Sequence, residues 1–108
     1  MIPVVVANLA TSLWIQGSPE GKALFLKACA SCHGPDGRAH TPIGRKIAVK
    51  DLTQSRLPDS NIVRQIDEGV RDRKGNLKMP SFKDQFSSEE KEALIQYVKS
   101  LRVDDPKE

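Results

Sequence analysis

Cys29-Ala30-Ser31-Cys32-His33 decides how this chain folds. Two thiols three positions apart at the end of a helical turn can reach the two vinyl groups along one edge of a porphyrin. The imidazole that follows can swing under the iron, so the Cys-x-x-Cys-His spacing reads as a site of covalent c-type haem attachment through Cys29 and Cys32. A Cys-x-x-Cys pair by itself also serves as a thioredoxin-type redox centre, as half of a zinc site or as a structural disulfide. A redox pair of that type follows a strand in an alternating strand and helix pattern, which is missing here. Zinc takes four ligands, whereas the chain holds two cysteines and two histidines, with His40 in a polar, glycine-rich loop.

At 108 residues the chain is one small domain with little capacity for a large core. Its aromatic residues are Trp14, Phe25, Phe82, Phe86 and Tyr97 alone, and its mean hydropathy is negative. A haem in the middle would supply the apolar mass that the sequence lacks. Lys and Arg number 17 against 14 acids, a net charge of +3, too modest to suggest nucleic acid as a partner. Arg71, Arg73, Lys74, Lys78 and Lys83 nevertheless crowd one stretch and are opposed there only by Asp72. Such a run is either a solvated loop or a surface that steers a charged partner.

No charge occurs before Glu20. Residues 1–17 form an N-terminal apolar extension that includes Ile2-Pro3-Val4-Val5-Val6-Ala7, too short to span a bilayer and without the basic start of a signal peptide. The trimmed tail of a signal, a remnant of a longer precursor and an arm packed on the domain all fit it. Residues 18–108 are read as the domain, with no membrane span expected.

Ser18-Pro19-Glu20 has the marks of a helix start: a cap, a proline at the first helical position and an acid beside the positive dipole end. The helix should run to about Cys29, with Leu24, Phe25 and Ala28 on one stripe. From Gly34 to Ser55 the signals are turns, Gly34-Pro35-Asp36-Gly37 and Thr41-Pro42-Ile43-Gly44, predicting an irregular loop that closes with a short turn at Ile47. Asp59 or Ser60 then caps a short helix carrying Ile62, Val63 and Ile66, ended by Gly69. Ser87 and Glu90 form a capping box that opens a last helix, on which Leu94, Tyr97, Val98 and Leu101 recur as one buried face. No stretch reads as a strand. Long structureless loops count against a compact domain, but a porphyrin gives their side chains a surface to pack on.

His33 supplies one axial position, and Met79, Met1 and His40 are the candidates for the other. Met79 stands in Leu77-Lys78-Met79-Pro80-Ser81-Phe82, between the second and third helices. That is far enough from His33 for the chain to wrap around a ring and return on its opposite face. Pro80 pushes Met79 toward an extended conformation. Its thioether is a soft, neutral donor that favours ferrous iron and raises the reduction potential. A lone methionine more often fills a gap in a core, but Met79 lies off every helical stripe and a haem motif calls for a second ligand. His40 is close enough to His33 in sequence to have difficulty crossing the ring.

Together these features resemble the class I cytochrome c family in its small single-domain bacterial form, with similarity also to algal and cyanobacterial cytochrome c6. The resemblance covers residues 18–102. It is carried by Gly21 and Phe25, by Cys29, Cys32, His33 and Gly34, by Met79-Pro80, and by Tyr97-Val98-Lys99-Ser100-Leu101. It implies an all-α fold of three main helices and long loops wrapped around one covalently bound haem. The first and last helices of such a fold cross closely, setting Gly21 and Phe25 against Leu94 and Tyr97. It also implies that the carbonyl of Pro42 accepts a hydrogen bond from the second ring nitrogen of His33 and so orients the ligand. Thr41 stands where many members have glycine, and Pro35 adds a further proline to that loop. Ile43, Ile47, Leu52, Ile66 and Phe82 are the expected apolar wall of the haem, although each also suits an ordinary core. Some members hold a haem propionate with a buried tryptophan. Trp14 precedes the matching region, leaving Arg45 or Lys46 for that role, or as solvated loop charges.

The function this implies is that of a one-electron carrier, not an enzyme, cycling between ferrous and ferric haem c with His33 and Met79 as axial ligands. Its partners would be redox proteins, with an acidic docking surface facing the stretch from Arg71 to Lys83. Two rivals remain: an electron-transfer domain of a larger oxidoreductase, and a haem enzyme or gas sensor with a labile Met79. Haem is joined to members of this family outside the cytoplasm, so the periplasm or an equivalent lumen is the expected location.

Overall fold

The computed structural model describes residues 19–103; the extension at residues 1–17 and the capping role expected of Ser18 lie outside them. Three main helices carry the fold: α1 (Pro19–Ala28), α4 (Asp59–Glu68) and α5 (Ser88–Ser100). Between α1 and α4 come two single-turn helices, α2 (Ala30–His33) and α3 (Pro42–Lys46), and a 3-10 turn at Leu52–Gln54. Between α4 and α5 the chain forms a two-stranded antiparallel hairpin, β1 (Val70–Arg71) and β2 (Leu77–Met79). Among the described residues no helix is long and apolar enough to cross a membrane.

Helix α1 has Glu20 in its first turn and Lys27 in its last, each favourable to the helix dipole. Helix α5 opens with the expected reciprocal cap. The Ser87 hydroxyl accepts from the Glu90 amide at 3.1 Å, and the Glu90 carboxylate accepts from the Ser87 amide at 2.8 Å. The two helices cross at Gly21, where a Cβ would lie 2.3 Å from the Ala93 carbonyl oxygen. Only a residue without a side chain lets the backbones come so near. One turn further on, the Phe25 ring packs 5.3 Å from that of Tyr97 and joins Leu94 and Val98 in a buried cluster. Ile62 and Ile66 of α4 form a second cluster with Ile95 of α5. The buried face of α5 is thus wider than the stripe predicted: Ala93 and Ile95 are buried, while Tyr97 and Leu101 are only partly so. The reason is that α5 packs on α1 along one side and on α4 along the other.

Three local expectations are corrected. Helix α4 begins at Asp59 with Pro58 at the cap position and no side-chain cap; the Asp59 carboxylate pairs instead with Lys99 of α5 at 3.0 Å. A second pair, Lys91 to Asp67 at 2.7 Å, ties the same two helices together. The stretch 34–55 holds more than an irregular loop, because Thr41 caps α3 with Pro42 at its first position, a regular helix start. The hairpin was not foreseen: strands of two and three residues are too short to display an alternating pattern. Asp72 builds its turn, its carboxylate accepting from the amides of Lys74 (2.8 Å) and Asn76 (2.9 Å).

Candidate functional site

Helix α1 ends at Ala28 and the chain bends at Cys29 into α2, whose last residue is His33. The Cys29 amide donates to the Phe25 carbonyl (2.8 Å) and the His33 amide to the Cys29 carbonyl (3.0 Å), so thiols and imidazole ride on one continuous run of helical turns. Gly34 then leaves the helix at φ 81°, a conformation open to glycine at little cost. Thr41 clamps the following loop beneath the motif. Its hydroxyl donates to the Cys32 carbonyl at 2.8 Å and accepts from the Gly44 amide at 2.8 Å. Gly44 fits that clamp because a Cβ there would lie 2.6 Å from the carbonyl oxygens of both Ala39 and Cys32.

Cys29, Cys32 and His33 open onto a cavity of about 620 Å³, within the range of small-molecule and cofactor sites. Met79 lines the same cavity, as do Leu52, Ile66 and Phe82. Met79 ends β2 rather than standing in a loop. It is held in two ways: β2 pairs with β1 in the register Val70 to Met79, and the Phe82 amide donates to the Ile66 carbonyl of α4 at 2.8 Å. Its side chain packs against the cluster of Ile62, Ile66 and Ile95.

Pro42, Ile43 and Ile47, expected on the haem wall, are not among the residues lining the cavity. They sit on or at the end of α3, where Ile43 is 47% exposed. The hydrogen bond expected from His33 to the Pro42 carbonyl is not formed either, for His33 Nδ1 is buried without a partner. Arg45 and Lys46, the substitutes for a propionate-binding tryptophan, are exposed and off the cavity. His40 is exposed and borders a separate depression with Lys22, Leu26 and Tyr97, and Met1 lies outside the described residues. In place of α3, the segment from Ala48 to Leu57 closes this side of the cavity, and Phe86, Leu94 and Val98 reach it from the core. Leu94 and Val98 were legible as a buried face; no signal in the segment 48–57 tells which of its residues turn inward.

The cysteines are free thiols. Burial, with Cys32 alongside, pushes the Cys29 thiol up to about 11, so it stays protonated at neutral pH. A catalytic redox pair needs the reverse, a thiol lowered to give thiolate. Burial also holds the His33 imidazole below its ordinary pKa, against a smaller opposite pull from the Lys50 backbone. That keeps it neutral, the form that ligates a metal. No set of three or more His, Cys, Asp or Glu among the described residues could hold a metal ion unaided. Two thiols, a neutral imidazole with an unpartnered ring nitrogen and a thioether around one apolar cavity fit a haem joined to the chain.

Residues 18–98 match the protein family described as "Cytochrome C oxidase, cbb3-type, subunit III". No curated protein matches the chain. Among solved structures it is similar to the "KustC0563 c-type cytochrome", with 29% identity and a TM-score of 0.65 over 77% of this chain and 98% of that one. It is also similar to a chain of the "Kuenenia stuttgartiensis reducing HAO-like protein complex Kustc0457/Kustc0458", with 28% identity and a TM-score of 0.63 over 79% of this chain and 42% of that one.

Proposed function

Because the chain belongs to the cytochrome c family named for subunit III of the cbb3-type cytochrome c oxidase, and so is a small class I-type cytochrome c, we propose that it carries single electrons through one haem c. The haem would be bound covalently through Cys29 and Cys32, with His33 and Met79 as its axial ligands. When bound, haem supplies reversible one-electron chemistry at iron. The observation that carries this reading is that His33, at the end of α2, and Met79, at the end of β2, line one cavity together with both thiols.

Each part of the chain has a task in this scheme. The clamp of Thr41 on Cys32 holds the attachment motif still. The hairpin presents a thioether, whose softness favours the reduced metal. Leu52, Ile66 and Phe82 exclude water. With both axial positions filled the protein would transform no substrate at the metal, and we therefore propose a carrier rather than an enzyme, working in the periplasm or an equivalent lumen. Lys78 stands at the cavity and Arg71, Arg73 and Lys74 on the hairpin beside it, so its redox partner would dock an acidic surface there in fast, salt-sensitive association.

A second reading, an electron-transfer domain of a larger assembly, draws support from the solved complex chain of which this fold spans 42%. Carrier and domain share the same site. A haem enzyme or gas sensor differs, because its Met79 would yield to an external ligand. Optical spectra of the matured protein, ferric and then ferrous with carbon monoxide, test the proposal. Low-spin iron with a sulfur-to-iron band in the far red, unchanged by carbon monoxide, is expected. High-spin iron or ready carbon monoxide binding would overturn the carrier reading.

A further inference from the structure

The cavity wall is mostly apolar, and three cations stand on it. Lys50 and Arg56 lie on the segment that closes one side, and Lys78 reaches over from β2 to donate to the Ala48 carbonyl at 3.4 Å. None of the three is within ion-pair distance of a carboxylate, the Lys78 charge acting on Asp72 only from further off: the ion pairs among the described residues are Arg38 with Asp36, Lys91 with Asp67 and Lys99 with Asp59. Arg56 donates to the carbonyls of Ser55 (2.8 Å), Thr53 (3.4 Å) and Val103, neutral acceptors that hold the guanidinium in place and leave its charge uncompensated. Asp51 is the one acid on the cavity wall among the described residues. One of its oxygens is already engaged, accepting from the amide (2.9 Å) and hydroxyl (2.6 Å) of Thr53. Three cations against one half-engaged carboxylate, on a mostly apolar wall, call for an occupant that is apolar over most of its surface and carries anionic groups.

We propose that Lys50, Arg56 and Lys78 bind the two propionate carboxylates of the haem and so help to set its reduction potential. This rests on the haem reading given above and assigns to these residues the role that Arg45 and Lys46 do not reach. Arg56, with its orientation already fixed by three backbone carbonyls, suits a forked interaction with a carboxylate. Cations that offset propionate charge disfavour the additional positive charge of ferric iron less when they are removed, so each raises the potential where it stands.

The test is the midpoint potential of the haem-loaded protein carrying K50Q, R56Q or K78Q, beside R56K, which keeps the charge. R45Q and K46Q are controls of equal charge change off the cavity. Lower potentials in the three glutamine variants, recovery in R56K and wild-type values in both controls are expected, with the propionate carboxylate bands of redox infrared difference spectra displaced in the same three. K50Q guards against a folding artefact at Arg56, since among the described residues no hydrogen bond is made by the Lys50 side chain. Equal potentials throughout, or equal shifts in the controls, would overturn the assignment while leaving the haem reading intact. A wild-type protein matured without covalent haem would overturn the haem reading itself, and the assignment with it.

Discussion

Gly69 governs where Met79 can sit. It ends α4 at φ 77°, and a Cβ built on it would lie 2.4 Å from the Met79 carbonyl oxygen. Gly69→Ala is therefore both strained and obstructed by backbone, and the strand that presents the thioether has to move. The expected outcome is retained covalent haem with loss of the far-red sulfur-to-iron band and new carbon monoxide binding, read from optical spectra. Gly21 constrains a different contact. Alanine gains about 1 kcal/mol of helix propensity over glycine, but its Cβ would meet the Ala93 carbonyl at 2.3 Å, and overpacking of that kind costs roughly 1–3 kcal/mol. With no flexible side chain there to yield, the obstruction wins: Gly21→Ala should lower the thermal midpoint of the ferric protein, measured by circular dichroism.

Among the elements, α5 is the one on which both core clusters meet, and its start depends on a reciprocal cap. Ser87→Ala removes one half of it and should cost about 1 kcal/mol in a denaturant titration, with the haem spectrum unchanged because neither Ser87 nor Glu90 lines the cavity. The hairpin depends on an acid instead. Hydrogen bonds to Asp72, from the Asn76 backbone first and then from Lys74 and the Asn76 side chain, with a contribution from the nearby Lys78 charge, hold its carboxyl below the ordinary value of 3.8. A depressed folded value means that the carboxylate's contribution to the turn is complete above the unfolded value and is lost as pH falls through the folded one. Amide exchange at Lys74 and Asn76 should accordingly rise in acid beyond its intrinsic trend, and Asp72→Ala should show the same loss at neutral pH.

At the scale of the whole molecule, Phe25, Ile62, Ile66, Leu94 and Val98 belong at once to the buried clusters and to the cavity wall, so the core and the cofactor site are one structure. Without haem these five side chains would lose their packing partners on the cavity side. A chain matured without haem, as in the C29A/C32A double variant, should therefore lose its cooperative thermal transition, checked by calorimetry. The grouping of Cys29, Cys32 and His33 at one cavity was legible because their spacing is local, and the three main helices because a 3.6-residue period is local as well. Gly21 was legible only through the family resemblance. Pro42, Ile43 and Ile47 stand off the cavity, and the sequence could not tell this because an apolar residue in a loop carries no record of which way it points. The loop's path is set by Ala39 and Ala48 at positive φ, where no residue type announces the turn, and by a threonine bonded to a carbonyl nine positions back. Local spacing, the cap of α5 and helical periodicity thus followed from the sequence by itself. Which cations face the cavity, which loop closes it and which strand carries Met79 were decided by tertiary packing, because each depends on contacts between segments distant along the chain.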